Sequence, residues 1–112
     1  KMIKIKEGVD ILRCNAPILV ALIKCEGVYS EKGYACTVIS ACEETVRHAP
    51  RSPYCQGDAI DIRVKHVPKE NRAELVRLMR KALGSNYLVV REGPSDENEH
   101  VRIQYFQQPP VE

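Results

Sequence analysis

Polar residues that could do chemistry are concentrated in two stretches of the chain. The first is SPYCQGDAIDI, Ser52 to Ile62, in which Asp61 stands inside an apolar run. A buried carboxylate must be hydrogen-bonded, paired, bound to a metal or protonated, because burying it bare is costly. Gly57 lets the backbone turn just before this run. These residues leave two interpretations open: an aspartate held by backbone amides, or one that serves as a ligand.

The second stretch is NEHVRIQY, Asn98 to Tyr105. The alternation of a strand places His100, Arg102 and Gln104 on one face and the apolar residues on the other. A row of this kind could line a cleft, although a half-exposed strand explains the same pattern. Glu99 comes directly before the strand.

A basic pair, Arg47-His48, precedes the first stretch. A lone histidine in such a position is more often a surface residue or a backbone anchor than a catalyst. The chain contains no phosphate-binding loop and no serine nucleophile motif.

The elements that must position these residues follow from hydrophobic periodicity and from proline and glycine punctuation. The order helix, strand, strand, helix, strand, strand predicts a small α+β domain, with an antiparallel sheet of about four strands and two main helices packed on one face. Residues 1–8 are predicted to form an arm or short edge strand, and residues 106–112 an extended tail. The predicted helices run from about Ala16 to a turn at Lys32-Gly33 and from Pro68 to Gly84, and the predicted strands are Ala35 to Ala41, Ala59 to Val64, Tyr87 to Arg91 and His100 to Tyr105.

Both predicted helices show an apolar stripe. The first stripe comprises Ile18, Leu19, Leu22, Cys25 and Tyr29, and the second Leu75, Leu78, Met79, Ala82 and Leu83. These residues are the expected contacts of the helices with the sheet.

Length and composition indicate a single domain over residues 1–112. The net charge of +2 comes from 17 basic and 15 acidic residues without a basic block, which argues against a nucleic-acid partner. No apolar run approaches the ~20 residues of a membrane span, and no signal peptide is visible. The five cysteines are odd in number and lack C-x-x-C spacing, so free thiols in a reducing cytosol are expected.

Taken together, these segments resemble the D-alanyl-D-alanine carboxypeptidase-like zinc peptidases, which share their fold with the Hedgehog signalling domain and with phage L-alanyl-D-glutamate endolysins. The likeness is greatest to the compact domains encoded by phages and prophages. The opening helix and first strand of the family resemble APILVALIKCEGVYSEKGYACTVIS, its Ser-x-His-x-x-Gly-x-Ala-x-Asp motif resembles RHAPRSPYCQGDAIDIRV, and its closing His-x-His strand resembles EHVRIQY.

The resemblance assigns roles to individual positions. Family members hold zinc with the motif histidine, the motif aspartate and the second histidine of His-x-His, which fall here on Tyr54, Asp61 and Arg102. The general base of the family falls on Glu99, and the histidine that does not bind zinc falls on His100.

Other positions match the family without being ligands. Ser52, Gly57 and Ala59 match the motif, and Arg47-His48 resembles a basic pair that is common before it. The resemblance therefore makes Ser52, Arg47 and His48 candidates for lining the cleft that corresponds to the family's active site, or for binding a ligand there.

Two of the three zinc ligands are thus replaced, whereas a catalytic zinc site needs about three protein ligands and an open position. We expect no cofactor and no catalytic residue, with Glu99 and His100 as vestiges of the active site. We further hypothesise that the Arg102 guanidinium replaces the charge of the metal and pairs with Asp61, with Glu99 as a second partner, while the Tyr54 hydroxyl adds a hydrogen bond. The alternative is a zinc site rebuilt with Cys55 or His100.

The function that this implies is a non-catalytic structural protein of a phage or prophage virion, in the tail, baseplate or head. Such a protein would be made in the cytoplasm of the bacterial host and would assemble with other virion proteins. One alternative is an active peptidoglycan metallopeptidase. Another is a cell-wall-binding module in which Arg47, His48 and Arg102 meet substrate carboxylates.

Overall fold

Two helices and a five-stranded sheet form the part of the chain that the structure describes. The structure is a computed structural model that describes residues 2–41, 52–54, 56–93 and 97–106. The strands are β1 (Ile3–Ile5), β2 (Cys36–Ser40), β3 (Ala59–Arg63), β4 (Tyr87–Glu92) and β5 (His100–Tyr105), and the helices are α1 (Ala16–Glu31) and α2 (Arg72–Leu83). The strand order is β1-β2-β3-β5-β4, parallel between β1 and β2 and antiparallel elsewhere.

The predicted α+β class is confirmed, with a mixed sheet of five strands in place of about four. The additional strand is β1, which lies in the segment predicted to be an arm or short edge strand. It pairs with β2 from Ile3 opposite Cys36 to Ile5 opposite Val38. Three residues are too few for an alternating pattern to establish a strand, so only the neighbouring β2 decides this pairing.

One face of the sheet packs against both helices and forms the core. The buried side chains of Ile60, Ile62, Val101 and Ile103 point to this face and belong to one cluster with residues of α1 and α2. Because successive side chains of a strand alternate between faces, the polar residues of β3 and β5 lie on the opposite face. We call this opposite face, which carries Asp61, Arg63, His100, Arg102 and Gln104, the outer face.

The buried faces of the helices differ in part from the predicted stripes. On α1, Leu19 is exposed and Ala21 is buried; on α2, Ala82 is exposed and Val76 is buried. Helix α1 carries apolar residues on nearly all sides, so its periodicity does not single out one face. The positions of the sheet and of the other helix then decide which residues are covered.

The start of α1 is tied to the turn that precedes β3. Asn15 is the N-cap residue, but its side chain makes no capping hydrogen bond. Its Nδ2 donates instead to the Gln56 carbonyl at 3.0 Å and to Asp58 Oδ1 at 2.6 Å, and its backbone N–H donates to the Gly57 carbonyl at 2.9 Å. The turn at residues 56–58 is therefore held in place by the first residues of the helix.

A backbone hydrogen bond also holds the residue that follows β5. Phe106 continues beyond β5 and its N–H donates to the Asn86 carbonyl at 2.9 Å, whereas residues 107–112 of the predicted tail lie outside the described residues.

Neither helix in the described part of the chain has the length and apolar character needed to cross a membrane.

Gly57 provides a test of this arrangement, and Gly33 is its matched control. Both have a positive φ, of 82° and 81°, but a Cβ at Gly57 would lie 2.3 Å from the Arg13 carbonyl oxygen while one at Gly33 would meet nothing within 4 Å. We expect Gly33→Ala to cost about 1–2 kcal/mol through backbone conformation alone. Gly57→Ala should cost more than ~3 kcal/mol, because the turn must also move away from α1.

Urea unfolding of both variants measures the difference. Equal losses would show that close contact between the turn and α1 is not a requirement of the fold.

Candidate functional site

The three positions that correspond to the zinc ligands of the resembling family come together on the outer face. Tyr54 Oη donates to Asp61 Oδ1 at 2.6 Å, and both residues are buried. Asp61 and Arg102 are direct partners in the antiparallel pairing of β3 with β5. Side chains in such a pair start from Cβ atoms about 4.5–5.5 Å apart. Residues that are distant in sequence are therefore neighbours in space.

The turns at residues 52–54 and 56–58 place Tyr54 over β3. Here, the Gly57 N–H donates to the Tyr54 carbonyl at 3.1 Å and the Asp58 N–H donates to the Pro53 carbonyl at 2.8 Å. The Tyr105 N–H of β5 donates to the Asp58 carbonyl at 2.8 Å, which fixes the end of the turn to the sheet. The tyrosine therefore reaches Asp61 from a well-anchored backbone.

Tyr54 acts as a neutral hydrogen-bond donor. Burial, and then the hydrogen bond to Asp61, raise the pKa of its phenol far above the ordinary tyrosine value. The phenol therefore keeps its proton over the whole physiological range and directs it at Oδ1 of Asp61. The predicted hydrogen bond of the Tyr54 hydroxyl is confirmed, with Asp61 as the acceptor.

The guanidinium of Arg102 has an ion-pair partner, Glu92, that the hypothesis did not name. Arg102 Nη1 lies 3.6 Å from Glu92 Oε2, and among the described residues no ion pair joins Arg102 to Asp61 or Glu99. Arg102 lies opposite Val90 on β4, so Glu92 is its diagonal neighbour. A long arginine side chain reaches this diagonal position and extends past the short aspartate beside it.

His100 stands between the two carboxylates. Its Nε2 lies 3.8 Å from Asp61 Oδ2 and 3.7 Å from Glu92 Oε1. Its Nδ1 lies 3.0 Å from the Asn98 carbonyl, which can only accept, so Nδ1 carries the proton in this contact. Tyr54, Asp61, His100, Glu92 and Arg102 thus form one series of contacts, which we call the outer-face network.

Arg102 retains one unfilled donor within this network. Its Nε is buried and has no hydrogen-bond partner among the described residues. An unsatisfied buried donor costs about 1–3 kcal/mol. Within the described residues, the guanidinium therefore has one long ion pair, with Glu92, and the cost of the buried Nε is not offset by them.

Glu99 is held by two arginines and is not placed to act as a base. Arg91 donates through Nε and Nη2 to its two carboxylate oxygens at 3.2 and 3.0 Å, and Arg72 Nη1 donates to Oε1 at 3.2 Å. The hydrogen bonds of Arg91 lower the pKa of Glu99, and the hydrogen bond of the buried Arg72 adds to this effect. A carboxylate with a lowered pKa is a weaker proton acceptor at neutral pH.

Zinc does not fit the residues present at the three ligand positions. Arg102, at one of these positions, is a cation that repels a metal ion. Tyr54, at another, has a protonated phenol that already donates to an oxygen of Asp61. Within the described ranges, no group of three or more histidine, cysteine, aspartate or glutamate side chains is arranged to hold a metal ion. Cys55, one of the two residues considered for a rebuilt site, lies outside those ranges, while His100 belongs to the outer-face network.

The remaining sequence candidates are only partly described. Ser52 is half-buried, and its carbonyl accepts from the Gln56 N–H at 3.3 Å. Arg47 and His48 lie outside the described residues. The cysteines that the structure describes, Cys14, Cys25 and Cys36, are buried and form no disulfide with one another. Burial raises the pKa of Cys36 to about 12, so this thiol stays protonated and packs as an apolar group.

Sequence reasoning missed Glu92, which is the partner of both His100 and Arg102. The predicted strand ends at Arg91, whereas Glu92 is the last residue of β4. Extending the alternation of the strand from Val90 by one more step would have placed Glu92 on the outer face.

No protein-family model and no curated protein matches the chain. The likeness to the zinc peptidases therefore stays a prediction based on the motif residues.

Acid unfolding tests the ion pairs of Glu99. Because its folded pKa is lowered, these pairs stabilise the fold above the ordinary glutamate pKa of about 4.3. The contribution is lost as the pH falls through the lowered value. We expect Glu99→Gln to reduce the free energy of unfolding by about 2 kcal/mol near neutral pH and by much less once the wild-type carboxyl is protonated.

Glu74→Gln is the matched control, since Glu74 also pairs with an arginine, Arg77, but the two side chains are 51% and 60% exposed. Solvent screens such a pair, so urea unfolding should change little at either pH. A loss for Glu99→Gln that is the same at both pH values would contradict the assigned ion pairs.

Proposed function

We propose that the chain is a non-catalytic protein built on a scaffold like that of the zinc peptidases. The observation that carries this proposal is the pairing at the ligand positions: Tyr54 donates to Asp61, and a cation stands at position 102 with Glu92 as its partner. A guanidinium supplies positive charge among carboxylates without a metal. In this centre Asp61 is an acceptor for protein hydrogen bonds.

The chemistry of the neighbouring groups supports the same conclusion. Peptide hydrolysis at neutral pH requires an activated water, and a peptidase of this class obtains it from bound zinc and a free carboxylate base. Here the carboxylate at the base position, Glu99, is bound on both oxygens by arginines. Tyr54 keeps its proton and cannot serve as a base.

The biological role that we propose is that of a structural component of a phage or prophage virion, in the tail, baseplate or head. Support comes from the resemblance to compact phage-encoded domains, combined with a centre that suits stability and not turnover. The partners would be other virion proteins in a multi-subunit assembly, and the chain would be made in the host cytoplasm.

A second candidate is a module that binds cell-wall peptides without cutting them. It is favoured by the position of Arg102 on the outer face, where 30% of its side chain is exposed and its ion pair with Glu92 is long, so that a peptide carboxylate could also bind the guanidinium. Retention of the cleft without hydrolysis would suit such a role.

Restoring the ligands tests the loss of the metal site. We expect the wild-type chain to retain no zinc after dialysis and to leave muropeptides uncut. The double variant Tyr54→His with Arg102→His should bind one equivalent of zinc, because both new imidazoles would lie beside Asp61. Adding Asp61→Ala to the double variant is the control and should abolish binding.

Metal content and calorimetric titration provide the measurement. Our proposal is overturned if the wild-type chain itself retains one equivalent of zinc that Asp61→Ala removes.

Sedimentation separates the two candidate roles. We expect the chain to co-purify with phage particles in a density gradient and to stay in the supernatant when mixed with purified sacculi. The binding module would be favoured instead if the chain sedimented with sacculi and was absent from phage particles. Arg102→Gln should then weaken the sedimentation with sacculi. Lys24→Gln, at an exposed position of α1, serves as the control for non-specific charge effects.

A further inference from the structure

A second polar feature of the outer face lies beside the outer-face network. It is a cavity of about 340 Å³ at the end of β3 and the start of β5. Its lining includes three basic side chains, Lys6, Arg63 and Lys65, and two acidic ones, Glu97 and Glu99. His100 also lines the cavity and therefore belongs to both features. The volume falls in the range of sites for small molecules, roughly 300–1,000 Å³.

The backbone of each cationic residue is anchored by another part of the fold. The Arg63 carbonyl accepts from the buried Tyr29 hydroxyl at 3.0 Å, and the Lys65 carbonyl accepts from Arg72 Nη2 at 3.1 Å. The Lys6 N–H donates to the Val38 carbonyl at 2.9 Å. Three segments that are separate in sequence are thus held so that their side chains line one cavity. A fixed backbone lowers the entropy lost on binding, which leaves the exposed lysine side chains as the main groups to be ordered.

The charge in this cavity is only partly neutralised. The side chains of Lys6, Arg63 and Lys65 have no carboxylate partner among the described residues, whereas Arg91 and Arg102 each pair with a glutamate. Like charges that share a concave site repel one another, and an anion that enters relieves this repulsion.

The two carboxylates of the lining do not remove this excess. Glu99 is already bound by Arg72 and Arg91, so it offers little to the lysines. Glu97, the other carboxylate that lines the cavity, is exposed, and no arginine of the described ranges pairs with it. Three cations therefore face one available acidic group.

We propose that this cavity binds a small ligand through a phosphate group. One guanidinium and two ammonium groups offer more donors than a single carboxylate can accept, and they suit a group with three oxygens and about two negative charges. The concave form and limited volume fit a small molecule and not a nucleic-acid duplex. This inference is independent of the proposed function, since it depends on the cavity and not on the ligand positions of the resembling family.

Titration with inorganic phosphate, at constant ionic strength set with sodium chloride, tests the assignment. We expect saturable changes in the amide NMR signals of Lys6, Arg63, Lys65 and His100. The double variant Arg63→Gln with Lys65→Gln should bind phosphate at least about tenfold more weakly, because two charged donors are lost. Neither side chain belongs to the core, so circular dichroism should show an intact fold.

Two further variants make the outcome decisive. Glu97→Gln should tighten phosphate binding, because it removes the free negative charge; such a gain cannot result from misfolding. Lys24→Gln, on α1 at the other face of the sheet, should leave the affinity unchanged. Signal changes that do not saturate, or an unchanged affinity in the Arg63 and Lys65 double variant, would overturn the site. Tighter binding of succinate than of phosphate would overturn the choice of ligand class.

Discussion

The antiparallel pairing of β3 with β5 is the constraint on which both sites of the outer face depend. It sets Asp61 opposite Arg102 and Arg63 opposite His100. The register is decided on the other face of the sheet, where the apolar residues of the two strands are buried against the helices. A slip by one residue would carry Asp61 into the core and expose its apolar neighbours, at a large cost in free energy. Hydrophobic packing therefore selects which polar residues meet.

Charge on the outer face is divided between two regions that share His100. In the outer-face network, Asp61 is satisfied by Tyr54, and the cation Arg102 has Glu92 as its counter-ion. In the neighbouring cavity, Arg63 and its companion lysines lack such counter-ions within the described residues. In the first region both carboxylates have partners, which suits a structural role, whereas the second region has an excess of positive charge and suits an anionic ligand.

Much of the fold could be predicted from local signals. Pro17 and Gly84 lie at or beside helix ends, β5 has its predicted bounds, and the α+β class is confirmed. Prediction was wrong where the local pattern did not discriminate. Leu19 on α1 is exposed because that helix is apolar on nearly all sides, and β1 was left open between an arm and a strand because three residues carry too little pattern.

For the candidate site, the sequence by itself determined which chemical groups are present: a phenol and a guanidinium where the resembling family has imidazoles, and an aspartate inside an apolar strand. Alternation along β5 also determined that Arg102 shares a face with His100. Only the tertiary structure decided the partners. Glu92 binds Arg102 because β4 lies next to β5 and a long side chain favours the diagonal neighbour. The basic cavity likewise exists only where distant segments meet, and no local pattern encodes such a meeting.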